Sequence, residues 1–346
     1  MTDIKNCSLQ EVESVLKDWH EPLYHAKQIF SWLYQRGACS FDAMTNLSAS
    51  LRSRLTETFA HRAIALITLQ ESRDGTRKFL FRLEDGSSVE SVVIPARGRN
   101  TVCLSSQVGC KYACDFCASG LLGFKRNLKA WEILAQLLAI THTHRGGAGR
   151  VTHVVFMGTG EPLDNYDNVL KAIRIINSKE GFGIGARRIT VSTSGIIPGI
   201  KRLASEGLQI ELSVSLHSAD SLTRSRLMPV NKKYPLNELI AACKKYAVDT
   251  NRQVTFEYAL LKGINCSQEA AQDIIRLLKG WNAKVNLLIY NPVKELPYKA
   301  PDKGETEKFS HALIRAGLVV TLRKSRGQDI EGACGQLRIK RGEATH

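Results

Sequence analysis

The sequence predicts an α/β protein: a partial (β/α)6-type barrel joined to a small helical N-terminal domain through a β-hairpin linker. Three observations predict it. From about residue 100, β-branched apolar runs alternate with amphipathic stretches of helical period, the signature of a parallel sheet with crossover helices. The first sixty residues show helical spacing only. No GxGxxG follows the first strand of the alternating region, which argues against a dinucleotide-binding sheet.

The elements follow in order. EPLYHAKQIFSWLYQRG places Leu23, Ile29, Phe30, Trp32, Leu33 and Tyr34 at roughly helical spacing. SASLRSRLTETFA reads as a second helix, which closes an accessory domain over residues 1–60. RKFLFRL and SSVESVVIP flank the turn signal EDG and read as a hairpin inside a linker over 61–95. The core spans 96–329. Its strands are TVCLSS, VTHVVFM, RITVSTS, QIELSVSLH, QVTFEYAL and AKVNLLIYN, with a last one at LVVTLRK. Six amphipathic stretches are interleaved with them, from LKAWEILAQLLAITH to ETEKFSHALIRAG. Residues 330–346 form a C-terminal loop and tail.

In such barrels the chemistry gathers on the loops beyond the carboxyl ends of the strands. Polar residues collect there. VTHVVFM runs into GTGEP, with Gly158, Gly160 and Glu161; Ser192, Thr193 and Ser194 close the third strand; Ser215 and His217 end the fourth; Asn291 ends the sixth. Each alone has an ordinary explanation as a turn, a cap or a satisfied core group. Recurrence at one rim predicts a ligand site.

Charge is unevenly placed. Residues 1–90 carry 11 Lys/Arg against 12 Asp/Glu, and residues 91–346 carry 37 against 21. Basic clusters occur at Arg97/Arg99, Lys125-Arg126, Arg187-Arg188, Lys232-Lys233, Arg323-Lys324-Arg326 and Arg338/Lys340/Arg341. A field of that sign suits a polyphosphate partner, nucleic acid first. The N-terminus lacks a secretory signature, and no apolar run approaches the length that spans a bilayer. A cytoplasmic protein without a membrane partner is expected.

Nine cysteines in such a chain do not suggest a disulfide framework. Cys7, Cys39, Cys243 and Cys266 stand alone. Cys110, Cys114 and Cys117 form CxxxCxxC on the loop after the first core strand. Structural zinc would want a fourth ligand, usually from a second pair, and a thioredoxin-like pair would leave Cys110 unexplained. An iron–sulfur cluster held by three thiolates uses all three and leaves one iron open to a non-protein ligand.

CxxxCxxC with Phe116 before its last cysteine resembles the radical S-adenosylmethionine (SAM) superfamily, and GTGEP resembles its glycine-rich loop. CLSSQVGC, CDFCASGLLGFKRNL, FMGTGEPLDN, TVSTSG, SLHS, MPVNKKY, YNP and ACGQL together resemble the RlmN/Cfr RNA methyltransferases along nearly the whole chain. The resemblance implies a radical SAM barrel and a [4Fe-4S] cluster on Cys110, Cys114 and Cys117, with the fourth iron open to SAM. It further implies SAM contacts at Gly160, Glu161, Ser192, Ser215, Leu216, His217 and Asn291, and two SAM molecules per turnover. RlmN-type enzymes methylate C2 of an adenosine in the peptidyl-transferase region of 23S rRNA, with the adenosine beside the tRNA anticodon as a further target; Cfr-type enzymes act at C8.

C2 of adenine lies between two ring nitrogens and is electron-poor, so it cannot attack a methyl group, and a radical route is needed. The resemblance assigns the remaining cysteines. Cys334, in EGACGQL, takes a methyl group as a nucleophile and becomes the S-methylcysteine intermediate. Hydrogen abstraction from that methyl lets it add to the ring carbon. Cys103 is the resolving thiol, forming a transient disulfide with Cys334 and releasing the base. Glu90 is the expected proton acceptor. A flavodoxin or ferredoxin as electron donor and a monomeric chain are also expected.

GEPLDN, VESVVIP and YNP…LPY resemble RlmN more than Cfr. Thr159 stands where family members often carry methionine, a change expected to be harmless. Two other readings make different demands: an RNA-binding protein with a structural metal would not need Cys334, and a radical SAM enzyme acting on a small molecule would not need the localised positive charge.

Overall fold

A computed structural model of the chain describes residues 1–121, 123–144 and 149–337. The basic cluster at Arg338, Lys340 and Arg341 and the tail beyond Leu337 lie outside the described residues.

β1 (Thr2–Asp3) pairs in parallel with a later short strand. α1 (Leu9–Asp18) joins the two helices named from sequence spacing. Its start is a reciprocal cap: the Glu11 N–H donates to Ser8 Oγ at 3.1 Å and the Ser8 N–H donates to Glu11 Oε2 at 2.5 Å. The expected helix over 21–37 divides. α2 (Tyr24–Phe30) widens into a π-helical turn (Ser31–Arg36), which Gly37 ends at φ +66°. A Cβ at Gly37 would fall 1.9 Å from His142 Nε2, so glycine lets this domain close onto the barrel. α3 (Ala49–Thr58) leads into β2 (Phe59–Ala60), the partner of β1.

β3 (Ala65–Glu71), β4 (Arg77–Arg82), β5 (Ser88–Ala96) and β6 (Arg99–Cys103) form an antiparallel meander. The hairpin expected from the EDG turn is its β4–β5 corner, and β3 is a further strand on its outer edge. β7 (Gln107–Gly109) and β8 (Phe124–Asn127) then make a separate two-stranded ribbon.

The parallel region runs α4 (Ala130–His144), β9 (His153–Phe156), α5 (Tyr166–Asn177), β10 (Ile189–Thr193), α6 (Ile197–Ala204), β11 (Glu211–Ser215), α7 (Ser221–Leu227), α8 (Leu236–Thr250), β12 (Val254–Leu260), α9 (Gln268–Leu278), β13 (Ala283–Ile289), α10 (Lys303–Arg315) and β14 (Val319–Arg323). These strands and the meander share one ten-stranded sheet, ordered β14-β13-β12-β11-β10-β9-β6-β5-β4-β3. Seven strands, β6 and β9 to β14, are parallel. β6 and β14 do not pair with one another, so the barrel is partial and keeps an open seam.

The core strands alternate more sharply than uninterrupted apolar runs would. Phe256, Tyr258 and Leu260 of β12, Leu212 and Val214 of β11, and Val285 and Leu287 of β13 are buried in the apolar core. The intervening residues share the opposite, concave face because successive side chains alternate across a strand. Register aligns them in rows: Ser215 beside Glu257, Glu257 beside Asn286, Asn286 beside Thr321; and one row nearer the rim, Ala259 beside Leu288 and Leu288 beside Arg323.

Candidate functional site

At the carboxyl rim of the parallel strands a cavity of about 1060 Å³, mouth included, opens into the concave face. Cys110, Cys114 and Cys117 line it together. The loop that carries them closes the β7–β8 ribbon: the Cys110 N–H donates to Gly123 O at 2.9 Å, and the Cys117 N–H donates to Cys114 O at 3.0 Å. The Asp115 N–H reaches Leu227 O at 2.9 Å, and the Tyr298 hydroxyl donates to the Asp115 carboxylate. Phe116 meets the His217 ring edge-on, with centroids 4.7 Å apart.

Burial pushes all three thiols up, Cys110 to about 12. Left to themselves they would keep their protons, and a bound metal would have to supply the charge that ionises them. Among the described residues no three His, Cys, Asp or Glu converge on the point that a single ion would occupy. The three soft donors instead ring a shared space, which fits a cluster whose separate iron corners each take one thiolate.

The GTGEP loop supplies Gly158, Gly160 and Glu161 to the same wall. A Cβ on Gly158 would lie 2.7 Å from the Leu104 and Ser105 backbone, and one on Gly160, at φ +104°, would lie 2.5 Å from Gln107. Glu161 is buried. Its carboxylate accepts from the Ser194 N–H at 2.6 Å, the Ser194 hydroxyl at 2.7 Å and the Leu163 N–H at 3.0 Å. Burial raises its proton affinity and these bonds oppose that rise. Thr159 is absent from the cavity wall; its carbonyl accepts from the Ser106 and Gln107 N–H groups.

Ser192, Thr193, Ser194, Ser215, His217 and Asn291 also line the cavity, so the rim expected from strand ends is one surface. His217 sits at φ +52°, and its Nδ1 accepts the Ala259 N–H at 2.9 Å, which leaves Nε2 as the protonated nitrogen. Burial, then the nearby Arg224, lowers its pKa to about 3, so the ring stays neutral at physiological pH. Leu216 is the exception: it is buried in the apolar core and does not line the cavity, and its N–H donates to Glu257 O at 2.9 Å.

A second cavity, about 910 Å³, is lined by Val92 and Ile94 of β5, Cys103 of β6, Val155 of β9, Leu288 of β13, Arg323 of β14, and Cys334 and Leu337 of the C-terminal loop. It therefore bridges the open seam between β6 and β14. Cys103 and Cys334 are both free thiols. Burial, then Cys334, pushes the Cys103 thiol up to about 12. Five residues line both cavities: Met157, Leu288, Asn291, Arg323 and Cys334.

The loop carrying Cys334 is tied at both ends. The Ser72 hydroxyl donates to Asp329 at 2.6 Å, and the Gly327 N–H donates to Asp74 at 3.0 Å. Beyond Cys334, the Ala118 N–H donates to Gly335 O and the Ser119 hydroxyl to Leu337 O, each at 2.8 Å. Asn291 Nδ2 donates to Cys334 O at 3.2 Å.

Glu90 lines neither cavity. It is buried on β5, 3.2 Å from Lys78 Nζ, with the Ser105 hydroxyl donating to its carbonyl. Alternation places it on the same face of β5 as Val92, the residue paired with Cys103.

Sequence reasoning passed over Met157, Glu257 and Arg224, and named Arg323 only within a basic cluster. Glu257 is a buried carboxylate inside an apolar run, held by Asn286 Nδ2 at 2.8 Å and the Ser213 hydroxyl at 3.2 Å. Arg224 is fully buried and donates to the carbonyls of Ser194 and Ser215, tying two rim loops together. The strand-end position of Met157 and the odd period of Glu257 were the available signals. Of the basic clusters, Arg323, Lys324 and Arg326 line the second cavity, whereas Arg126 is engaged by Asp85 and Glu132.

The Radical SAM superfamily matches residues 104–277, and the ribosomal RNA large subunit methyltransferase N-terminal domain matches residues 2–60. A protein named "Probable dual-specificity RNA methyltransferase RlmN" from Dictyoglomus turgidum is 45% identical over 98% of this chain and 97% of its own length. One of the same name from Symbiobacterium thermophilum is 47% identical over 96% and 90%. A crystal structure of a radical SAM methyltransferase from Sphaerobacter thermophilus superposes with a TM-score of 0.93 at 43% identity, covering 98% of this chain and 99% of the other.

Proposed function

The chain belongs to the RlmN family of radical SAM RNA methyltransferases, and from that premise we propose that it methylates C2 of an adenosine in 23S rRNA and C2 of the adenosine beside the tRNA anticodon. Its cofactors are a [4Fe-4S] cluster and SAM. When bound, these supply an electron, a carbon-centred radical and a methyl group.

The protein's own residues divide the work. Cys110, Cys114 and Cys117 hold three iron corners. Gly160, Glu161, Ser192, Ser215, His217 and Asn291 bind SAM through the wall they share, and Leu216 contributes backbone only. Cys334 accepts the methyl group that is later passed to the base. Cys103 attacks the Cys334 sulfur, forming an S–S bond as the sulfur–methylene bond breaks; that bond's electron pair goes to the methylene carbon, which takes a proton and leaves as the methyl group of the base. Glu90 takes the proton displaced from the ring carbon. The positive surplus of residues 91–346 draws in RNA. A flavodoxin or ferredoxin delivers the electron to a monomeric enzyme in the cytoplasm.

One observation carries this reading. Cys334 stands where the cavity of the three cluster thiols meets the cavity of Cys103, so one sulfur faces both the methyl source and the base. The test is mass spectrometry of rRNA and tRNA nucleosides from cells with and without the protein. Loss of 2-methyladenosine from both RNAs is expected. Loss of 8-methyladenosine instead would overturn the regiochemistry, and loss from rRNA alone would remove the tRNA.

A further inference from the structure

We propose that Lys324 and Arg326 form a phosphate clamp at the mouth of the second cavity, holding the RNA backbone on either side of the nucleotide whose base enters through the seam between β6 and β14. The inference rests on the reading of Cys103 and Cys334 as the residues that act on an RNA base.

The second cavity is apolar within and cationic at its mouth. Val92, Cys103, Val155 and Leu337 form a small buried cluster of their own, with Ile94 and Met157 packed against it, and all six line the cavity. Such a floor suits the face of a purine and would penalise a buried charge. Lys324 and Arg326 line the same cavity yet are exposed, so they stand where it meets solvent.

The segment that carries the two cations is held in place. Between them, the Ser325 hydroxyl donates to Ile289 O at the end of β13, at 3.4 Å, and the next residue but one, Gly327, donates its N–H to Asp74 at 3.0 Å. The carboxylates beside this segment are already engaged, Asp74 by Gly327 and Asp329 by the Ser72 hydroxyl and the Arg73 N–H. Two residues apart, the cations are separated by at most about 7 Å of chain, a reach that suits neighbouring phosphates of one strand.

The chemistry asks for such a grip. An adenine inside folded RNA is stacked, and its ring carbon can meet Cys103 and Cys334 only once the nucleotide is turned out of the stack. That costs free energy, which contacts to the flanking phosphates offset whatever the sequence. The other basic clusters are placed less well for it. Arg126 is engaged by Asp85 and Glu132. Arg187 donates to Gln209 at 2.9 Å and, with Arg188, directly precedes β10 at the amino ends of the strands, opposite the rim. Arg99 donates to the Thr101 hydroxyl at 3.0 Å, and neither it nor Lys232 and Lys233 lines the cavity.

The experiment measures RNA binding by the cluster-loaded, full-length protein across a salt series under anaerobic conditions. The probes are an unmodified tRNA and a transcript of the peptidyl-transferase loop of 23S rRNA. Lys324→Gln and Arg326→Gln should each weaken binding of both RNAs about fivefold near 0.1 M salt, and lower the slope of log affinity against log salt by about 0.7. The double variant should lower that slope by about 1.4. Lys324→Arg and Arg326→Lys should keep the wild-type slope, because either cation neutralises a phosphate. A double Gln variant with an unchanged slope would overturn the proposal. So would a loss confined to one RNA, which would mark a base contact, or an equal loss in Arg187→Gln combined with Arg188→Gln, which would mark diffuse attraction. A wild type that binds neither RNA would instead remove the RNA reading, and the clamp with it.

Discussion

Two sets of sulfur differ in how the chain assembles them. Cys110, Cys114 and Cys117 occupy eight consecutive positions of one loop, whereas Cys103 and Cys334 are 231 positions apart. The first set needs only a ribbon to close, with Cys110 bonded to Gly123 across it. The second needs the whole sheet to curve, because Cys103 ends the first parallel strand and Cys334 follows the last. A short loop holds a cofactor wherever it is placed. A cavity across an unpaired seam exists only in the finished fold, and it leaves a way in that a closed barrel would have sealed.

That contrast can be broken from either side. The largest effect is expected for Cys114→Ala, which removes one proposed corner ligand: the anaerobically purified protein should drop from about four irons per chain towards none, and lose all turnover. A variant that kept its iron and its visible absorption would sink the cluster assignment. Cys103→Ala leaves the local set intact. Iron content should be unchanged, while product release falls by about a hundredfold or more and a covalent protein–RNA adduct accumulates on denaturing gels. Normal turnover there would remove Cys103 from the chemistry.

The smallest effect is expected where the distant set is merely anchored. Asp329→Ala cuts the Ser72 bond that ties the start of the Cys334 loop to the β3–β4 turn. It is a single part-buried hydrogen bond to an exposed carboxylate, so a loss of roughly threefold in methyl transfer to Cys334 is expected, with iron content unchanged. A loss as large as that of Cys103→Ala would mean that the loop is held chiefly at this end rather than by Ala118, Ser119 and Asn291.

The candidate site was legible where strand ends and spacing carry the signal. Glu161, Ser192, Ser215, His217 and Asn291 follow runs whose alternation announces where each strand stops, so their place on the rim could be read from the pattern. Leu216 was named by the family resemblance and not by that pattern: between two rim residues the pleat turns its side chain into the core. Glu257 was hidden inside QVTFEYAL, because one carboxylate in an apolar run looks like an interruption until its neighbours Ser213 and Asn286 are placed beside it. Arg323 was read with Lys324 and Arg326 as a surface cluster, since charge in a sequence does not say which way a side chain faces.

The sequence by itself determined the alternation of strands and helices, the rim at which polar residues gather, and the three-thiol loop. Each depends on residues close together in the chain, where period and spacing carry physical meaning. Only the tertiary structure decided that the sheet stays open between β6 and β14, that Cys103 and Cys334 face one space, and that Arg323 is the charge between the two cavities. The physical reason is that these relations depend on the accumulated twist and curvature of seven parallel strands. No local pattern encodes that sum.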